Sequence, residues 1–297
     1  VPLAQSQPPS RTSAPHCQPM TTTDPTSTAL AAPTTAHNAT EAQLRHERDA
    51  RGVHTLTLNT PAAFNVLSES MLADLQAALA SVAADPQARA VVLAAEGKAF
   101  CAGHNLKEMR ARPEQAYYQA LFAQCTRVML AIQALPVPVI ARVQGLATAA
   151  GCQLVAQCDL AVAVDTARFG VNGIDVGLFC ATPSVPLSRN LPQKQAMEML
   201  LTGGFITAQE ALARGLVNRV VPADALDSSV EELLRALLAK PAVALAMGKQ
   251  LFYQQKETGL AAAYQLAGQT MACNMMHPVA QEGVQAFIDK RAPSWRG

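Results

Sequence analysis

The chain has 297 residues, 23 basic and 22 acidic side chains, and a formal net charge of +1 at pH 7. Half of the residues are hydrophobic but only 4% are aromatic. The sequence therefore offers neither a broad basic surface for phosphates nor many rings on which bases could stack, and we expect no nucleic-acid partner. The apolar runs are short fragments such as 90–95, so we also expect no membrane span, which needs roughly 20 apolar residues.

The first 44 residues differ in composition from the rest of the chain. They hold seven of the 19 prolines and only three charged residues, Arg11, Asp24 and Glu41. Such a segment cannot bury enough apolar surface to fold, so we predict a disordered Pro/Thr/Ala-rich leader over residues 1–44. It has no apolar signal-peptide core, and one arginine is too few for an organelle transit peptide. We expect a cytoplasmic protein, with the mitochondrial matrix as the alternative.

Alternating strands and helices are predicted over residues 52–164 from the spacing of apolar residues. The predicted strands are 52–58, 90–94, 137–143 and 159–164. The predicted helices are one capped by Ser68 that ends near Asp85, one at 113–135 and one that follows a turn within 145–156. This alternation indicates an α/β fold with parallel strands and right-handed crossovers.

The remainder of the chain is mostly helical by the same criterion. Helices are predicted at 193–201, 207–214, 224–238, 241–253, 259–275 and 278–290, with a strand-like segment at 217–221. The last three helices carry apolar residues on more than one face, notably Leu260, Tyr264, Leu266, Met271, Val284 and Phe287. We therefore expect these helices to pack against another subunit.

Two segments rich in small residues each follow a buried strand and lead toward a helix. They are 98–109 (KAFCAGHNLKEM) and 143–154 (VQGLATAAGCQL). The first backbone N–H groups of a helix have no intrahelical acceptor, and small side chains let another group approach them closely. The two segments therefore indicate a site at which main-chain donors stabilise developing negative charge.

Together with further motifs, these segments resemble the enoyl-CoA hydratase/isomerase (crotonase) superfamily from about Val53 to the C-terminus. The other matching pieces are 65–68, 169–177, 196–203, 208–217 and 282–287. Within the superfamily, 103–104 (GH), 149–153 (AAGCQ) and 176–180 (VGLFC) are most similar to the enoyl-CoA hydratase domain-containing protein 3 group. The resemblance implies an α/β, crotonase-like (ClpP/crotonase) spiral of ββα units over 45–235 and a C-terminal helical oligomerisation region over 236–297. It also implies a homotrimer or homohexamer.

The resemblance further implies an acyl-CoA thioester as the substrate, with its enolate oxyanion held by the backbone N–H groups of Ala102 and Ala150. Coenzyme A is then part of the substrate, and no separate cofactor is implied. The substrate-binding positions that the resemblance implies are Ala63, Phe64, Val66, Lys98, His104, Asn105, Leu106, Gly173, Phe287 and Lys290, the last two from a neighbouring subunit. The six histidines form no H-x-x-H pair, so we predict no metal site.

The sequence departs from the family pattern at the two positions where hydratases carry water-activating glutamates. These positions are Gln153 and Gly173 here. An amide cannot exchange a proton near neutral pH, and glycine has no side chain. We therefore predict an enoyl-CoA hydratase/isomerase-like lyase in which ordinary hydration is impaired, with Gln153 left in the place of one catalytic carboxylate.

Two other residues are candidate proton carriers for an acyl-CoA isomerase or hydrolase. Asp175 lies two residues beyond Gly173, and His104 has an unperturbed pKa near neutrality. A structural role is the alternative for each of them. Cys180 has no activating base near it in the sequence, so we interpret it as a packing residue. A third hypothesis is a non-catalytic acyl-CoA-binding or regulatory subunit.

Overall fold

The structure is a computed structural model that describes residues 42–296, so the predicted leader lies outside it except for residues 42–44. Ten strands occur in the described part of the chain: β1 (Leu44–Arg48), β2 (Val53–Leu58), β3 (Ala90–Ala95), β4 (Ala99–Cys101), β5 (Val139–Val143), β6 (Leu146–Thr148), β7 (Leu160–Val164), β8 (Arg168–Gly170), β9 (Ile206–Thr207) and β10 (Arg219–Val221).

Eleven α-helices occur in the same residues: α1 (Glu69–Ala84), α2 (Leu106–Ala111), α3 (Gln115–Ala134), α4 (Ala150–Gln157), α5 (Ala181–Asn190), α6 (Gln193–Thr202), α7 (Ala208–Arg214), α8 (Leu226–Leu238), α9 (Ala242–Lys256), α10 (Leu260–Met276) and α11 (Pro278–Ile288). A 3₁₀ turn at Asn172–Val176 separates β8 from α5. Between residues 42 and 296 no helix is long and apolar enough to cross a bilayer.

The strands form two sheets. The larger has six strands in the order β1-β2-β3-β5-β7-β10, and the smaller has four in the order β4-β6-β8-β9. All neighbours in the larger sheet are parallel except the β1–β2 pair, and in the smaller sheet only β8–β9 is antiparallel. The parallel arrangement expected from the alternation is therefore confirmed for the central strands.

Successive strands alternate between the two sheets as the chain advances. A strand of the larger sheet (β3, β5 or β7) is followed by a strand of the smaller one (β4, β6 or β8) and then by helical structure. This order repeats a ββα unit and is followed by the C-terminal helices, which confirms the predicted fold class. The repeat places the ends of β4, β6 and β8 side by side, and the loops that follow them form the candidate site.

The core lies where α1 and α3 cover the larger sheet. Every residue of β3 is buried, as expected for a strand that is apolar throughout and covered on both faces. Ser68 caps α1 by accepting a hydrogen bond from the Met71 N–H, as predicted. The buried apolar face of α1 then contacts α3 across the sheet surface.

The four strands of the smaller sheet and the edge strand β1 were not predicted. β4, β6 and β8 have three residues each, too few to show a period of two. β1 is polar and mostly exposed, so it has no apolar pattern.

A series of hydrogen bonds between side chains links β1 to β2 and to the end of α1. His46 Nε2 lies 2.9 Å from His54 Nδ1, and His54 Nε2 lies 2.9 Å from Asp85 Oδ2. Burial and the neighbouring His54 lower the pKa of His46.

Helix α9 has no fully buried residue, yet two polar side chains fasten it to the core. The Lys249 ammonium donates to the carbonyls of Ile132 and Val137 and to Asp159 Oδ2, at 2.9, 3.0 and 2.6 Å. The Tyr253 hydroxyl donates to the other oxygen of Asp159 at 2.8 Å. Burial lowers the pKa of Lys249, and the Asp159 carboxylate opposes that shift.

Replacing Lys249 by methionine should lower the free energy of unfolding by about 3 kcal/mol, because Asp159 would be left mostly buried without its cation. Urea unfolding followed by circular dichroism measures this. The matched control is Lys256→Met on the same helix, since Lys256 has no carboxylate partner: its ammonium donates to the exposed Arg189 carbonyl at 3.3 Å and lies 5.3 Å from the centre of the Phe252 ring. The control should change stability by less than about 0.5 kcal/mol. Equal losses in the two variants would show that the buried ion pair is not what holds α9.

Candidate active site

A cavity of about 300 Å³ lies between the loop after β4, the start of α4 and the segment that joins β8 to α5. Its walls are mostly apolar. Polar side chains in the lining belong to His104, Thr148, Asn172, Cys180 and Thr182. No carboxylate lines the cavity, so its only titratable side chains are His104 and Cys180.

The backbone N–H of Ala150 is free at the start of α4. The N–H of the preceding residue, Ala149, is engaged by the Gly170 carbonyl at 2.9 Å, and the first helical bond runs from the Gln153 N–H to the Ala149 carbonyl at 3.1 Å. Within residues 42–296, the Ala150 N–H has no protein acceptor. Ala150 also lines the cavity, so this donor is available to a bound group.

Glycine lets the first segment approach that donor. A Cβ on Gly103 would lie 2.9 Å from Ala149 Cβ and 3.1 Å from Ala150 N. Any larger residue at position 103 would push the two segments apart. The structure therefore brings together the two small-residue segments that the sequence predicted to form one site.

The second predicted donor is engaged in this structure. Ala102 lines the cavity, but its N–H donates to the Phe64 carbonyl at 3.0 Å. Asn65 holds that loop in place: its Oδ1 accepts from the Thr60 N–H, and its Nδ2 donates to the Glu96 and Ala99 carbonyls, all at 2.8 Å. The Ala102 N–H is thus at the predicted place but is not free.

The two positions at which the resemblance implies family glutamates, Gln153 and Gly173, have different surroundings. Gln153 is 3% exposed, does not line the cavity, and its Oε1 has no protein partner. Gly173 does line the cavity, but a Cβ there would lie 2.5 Å from the Leu178 carbonyl oxygen and 2.8 Å from Cys180 Sγ. Position 173 is therefore closed to every side chain, including glutamate.

Of the two candidate proton carriers, the structure brings only His104 to the cavity. Its ring meets Phe122 edge to face, with centroids 5.5 Å apart, and both ring nitrogens are buried without a hydrogen-bond partner. Burial lowers the pKa of His104, and the Leu67 main chain acts in the opposite direction. Asp175 is exposed, does not line the cavity, and directs its carboxylate toward Gly203, so the structure does not bring this candidate to the cavity.

Of the remaining predicted substrate-binding residues, one lines the cavity, one caps α2 and the others lie outside the cavity lining. Leu106 lines the cavity, whereas Asn105 caps α2 by accepting from the Lys107 N–H at 3.1 Å. Outside the cavity lining are Ala63, Phe64, Val66, Lys98, Phe287 and Lys290. The last two lie on and after α11, where Phe287 is 84% exposed, so their assignment to a neighbouring subunit's site stays a prediction.

Thr148 and Asn172 are site residues that the sequence did not predict. The Thr148 hydroxyl donates to Asn172 Oδ1 at 2.6 Å, and both residues line the cavity. Their proximity depends on the pairing of β6 with β8, in which Thr148 lies opposite Gly170. Asn172 directly precedes Gly173, so its position in the sequence could have indicated that it lies near the site. Nothing in the sequence linked it to Thr148.

The cysteines near the site are buried. Cys101 and Cys152 are buried, and burial raises the pKa of each thiol to about 12. Cys180 lines the cavity, and burial raises the pKa of its thiol as well. A raised pKa keeps a thiol protonated near neutral pH and therefore weakly nucleophilic.

The ββα spiral and the paired small-residue turns at its cavity define the class of protein. The family model described as enoyl-CoA hydratase/isomerase matches residues 48–297, and the chain belongs to this family. The comparison confirms the resemblance noted from the motifs.

Individual relatives refine the match. Enoyl-CoA hydratase domain-containing protein 3, mitochondrial, of Xenopus laevis is 45% identical over 82% of this chain and 83% of its own length. The human protein of that name is 44% identical over 84% of this chain and 82% of its own length. The crystal structure of the human protein has a TM-score of 0.82 and is 42% identical over 86% of this chain and all of that one. The crystal structure of an enoyl-CoA hydratase from Mycobacterium smegmatis is 63% identical over 86% of this chain and 100% of that one, with a TM-score of 0.85.

The names of the Xenopus and human relatives include the word mitochondrial. They agree with the alternative location considered from the sequence and give no support to the cytoplasmic expectation. The similarity to the domain-containing protein 3 group, in contrast, agrees with the subgroup that the sequence motifs indicated.

Replacing Gly173 by alanine should lower the free energy of unfolding by about 1–3 kcal/mol, because the new methyl group would overlap the Leu178 carbonyl and the Cys180 sulfur. Gly248→Ala is the control: nothing lies within 4 Å of a Cβ at this exposed position in α9. That change should raise stability by about 0.5–1 kcal/mol through backbone entropy. Thermal unfolding of both variants checks the comparison, and a Gly173→Ala variant as stable as the parent protein would refute the closure of this position.

Proposed function

We propose that the protein binds an acyl-CoA thioester and polarises its carbonyl oxygen. The observation that carries this proposal is the unpartnered Ala150 N–H at the first turn of α4, facing a mostly apolar cavity. The positive end of the helix dipole adds to the donor, and the apolar walls suit an acyl chain. Coenzyme A enters as part of the substrate, and no other cofactor is part of the proposal.

The second donor is the Ala102 N–H, as the family resemblance implies. It already bonds the Phe64 carbonyl at 3.0 Å, so a thioester oxygen would share this N–H in a three-centre bond.

We further propose that the protein hydrates simple enoyl-CoA thioesters slowly. General acid and base groups contribute about 10²–10⁴-fold each in enzymes that use them. Here Gln153 is an amide outside the cavity, and position 173 is closed to a side chain. A family fold with a retained carbonyl-binding donor and no carboxylate in its cavity is consistent with a reaction other than ordinary hydration, or with binding alone.

We also propose that subunits associate through the C-terminal helices. The C-terminal helices expose Leu260, Tyr264 and Phe287 to 76%, 73% and 84%, respectively. Large apolar side chains exposed together mark surfaces that associate. A homotrimer or homohexamer built through α10 and α11 would cover them and bring Phe287 and Lys290 to a neighbouring subunit.

Ala150→Pro tests the proposed donor. Proline has no N–H and is tolerated at the first helical position, where the N–H has no intrahelical acceptor. Because Gly103 packs closely on Ala150 N, thermal unfolding of the variant is measured beside binding, and only a folded variant is compared. Binding of butyryl-CoA by isothermal titration calorimetry should weaken about tenfold, the value of one neutral hydrogen bond. Ala150→Gly keeps the N–H and should bind as the parent protein does. The proposal falls if the parent protein does not bind butyryl-CoA, or if the two variants bind it equally well.

A second candidate function is isomerisation of a 3-enoyl-CoA, in which a base moves a proton from Cα to Cγ. It is favoured by the position of His104, the one imidazole in the cavity lining, with both nitrogens unpartnered. A neutral imidazole can accept a proton at Nδ1 or Nε2. Because burial lowers the pKa of His104, the ring is neutral at physiological pH and available as a base.

His104→Gln should reduce conversion of 3-hexenoyl-CoA to the 2-enoyl isomer by about 10²–10⁴-fold, because glutamine forms hydrogen bonds but does not titrate. The parent rate should be constant near neutral pH and fall as the pH drops through a pKa below the ordinary value of 6.5. Butyryl-CoA affinity serves as the control and should change little. Conversion at the parent rate in the variant would remove His104 from this role.

A further inference from the structure

The Asn172 side chain presents an unused hydrogen-bond donor to the cavity. Its Oδ1 accepts from the Thr148 hydroxyl at 2.6 Å, which fixes the orientation of the amide. Within residues 42–296, its Nδ2 has no protein partner. An amide nitrogen carries two N–H donors, so Asn172 can bind an acceptor atom of a ligand and cannot itself take up a proton.

This donor lies on the same wall as the Ala150 N–H. Thr148, which holds the Asn172 amide, precedes Ala150 by two residues, and all three residues line the cavity. The adjoining position, Gly173, has no side chain and no room for one. The wall therefore offers two N–H donors from separate elements, one main-chain and one side-chain, with no negative charge beside them.

We propose that the site selects a 3-oxoacyl thioester, with its C1 oxygen on the Ala150 N–H and its C3 oxygen on Asn172 Nδ2. This inference rests on the proposed function and specifies its substrate class. The carbonyl groups of a β-keto thioester are separated by one carbon, so their oxygens can point to the same side, and the two donors that the inference assigns to them line one cavity. Both oxygens are acceptors only, and they gain negative charge together when Cα loses a proton.

The glycine at position 173 fits the same ligand. A carboxylate at position 173 would place a negative charge beside the C3 oxygen, and like charges or opposed acceptors disfavour binding. A saturated acyl chain, in contrast, would leave the Asn172 N–H groups desolvated and unpaired. Sites that hydrogen-bond a polar group of their substrate reject analogues that lack it, because the buried partner is then unsatisfied.

The experiment compares acetoacetyl-CoA with butyryl-CoA, thioesters of equal chain length that differ in the C3 oxygen. Dissociation constants are measured by isothermal titration calorimetry on the full chain. The parent protein should bind acetoacetyl-CoA about tenfold more tightly, the difference expected for one hydrogen bond. Because the result is a ratio of two affinities in one sample, partial unfolding of a variant does not distort it.

Three variants test whether the selectivity arises at the proposed donor. Asn172→Leu should abolish the preference by weakening acetoacetyl-CoA binding alone. Asn172→Asp keeps the size of the side chain but replaces the donor with an acceptor, so it should reverse the preference by about threefold or more. Thr148→Val removes the hydroxyl that orients the amide and should reduce the preference to about threefold.

The outcomes separate this inference from the function on which it rests. If butyryl-CoA binds and Ala150→Pro weakens it, while the parent protein shows no preference for acetoacetyl-CoA, the C3 subsite is wrong and thioester recognition stands. A preference that survives in Asn172→Leu likewise overturns the subsite. If neither thioester binds to the parent protein, both proposals are overturned.

Discussion

The site depends on the close contact between the turn after β4 and the turn that opens α4. Gly103 lies against Ala149 and Ala150, and a Cβ on Gly151 would overlap the Cys101 carbonyl. Main chain therefore packs directly on main chain. This contact holds the Ala150 N–H at the cavity wall and leaves no room for a side chain that would cover it. Because the contact is between backbone atoms of two ββα units, it fixes the donor more rigidly than a side chain could.

Around that donor, the cavity is lined by few polar groups. The two positions at which the family resemblance implies glutamates hold an amide outside the cavity lining and a glycine without room for a side chain. In their place, an imidazole and a paired hydroxyl and amide line the walls. These groups are neutral at physiological pH, so they favour ligands with acceptor oxygens and limit proton transfer to the imidazole. This set of groups is consistent with the proposed preference for ligands that carry a second acceptor oxygen, since one fold can hold different sites.

The C-terminal helices are attached to this core by a different kind of interaction. α9 has no fully buried residue, and its main fastening is the ionic and hydrogen-bonded contact of Lys249 and Tyr253 with Asp159. Asp159 in turn accepts from the Val139 N–H at 2.7 Å, at the start of the central strand β5. A helical region held by a few polar contacts leaves its apolar faces for other surfaces, which is consistent with the proposed association of subunits.

The sequence by itself determined the family, the central strands, most helices and the two turns that meet at the site. Buried parallel strands form continuous apolar runs and long helices show a period of 3.6 residues. The glycine and alanine motifs indicate where two backbones approach each other closely. The sequence did not reveal β4, β6 and β8, because three residues are too few to show the two-residue alternation of a strand. Only the tertiary structure decided that Asp175 faces away, that the Ala102 N–H is engaged, that position 173 is closed and that Thr148 orients Asn172. Each of these four features depends on which atoms of distant segments come within a few ångströms of one another. The spacing of residues along the chain does not specify such contacts.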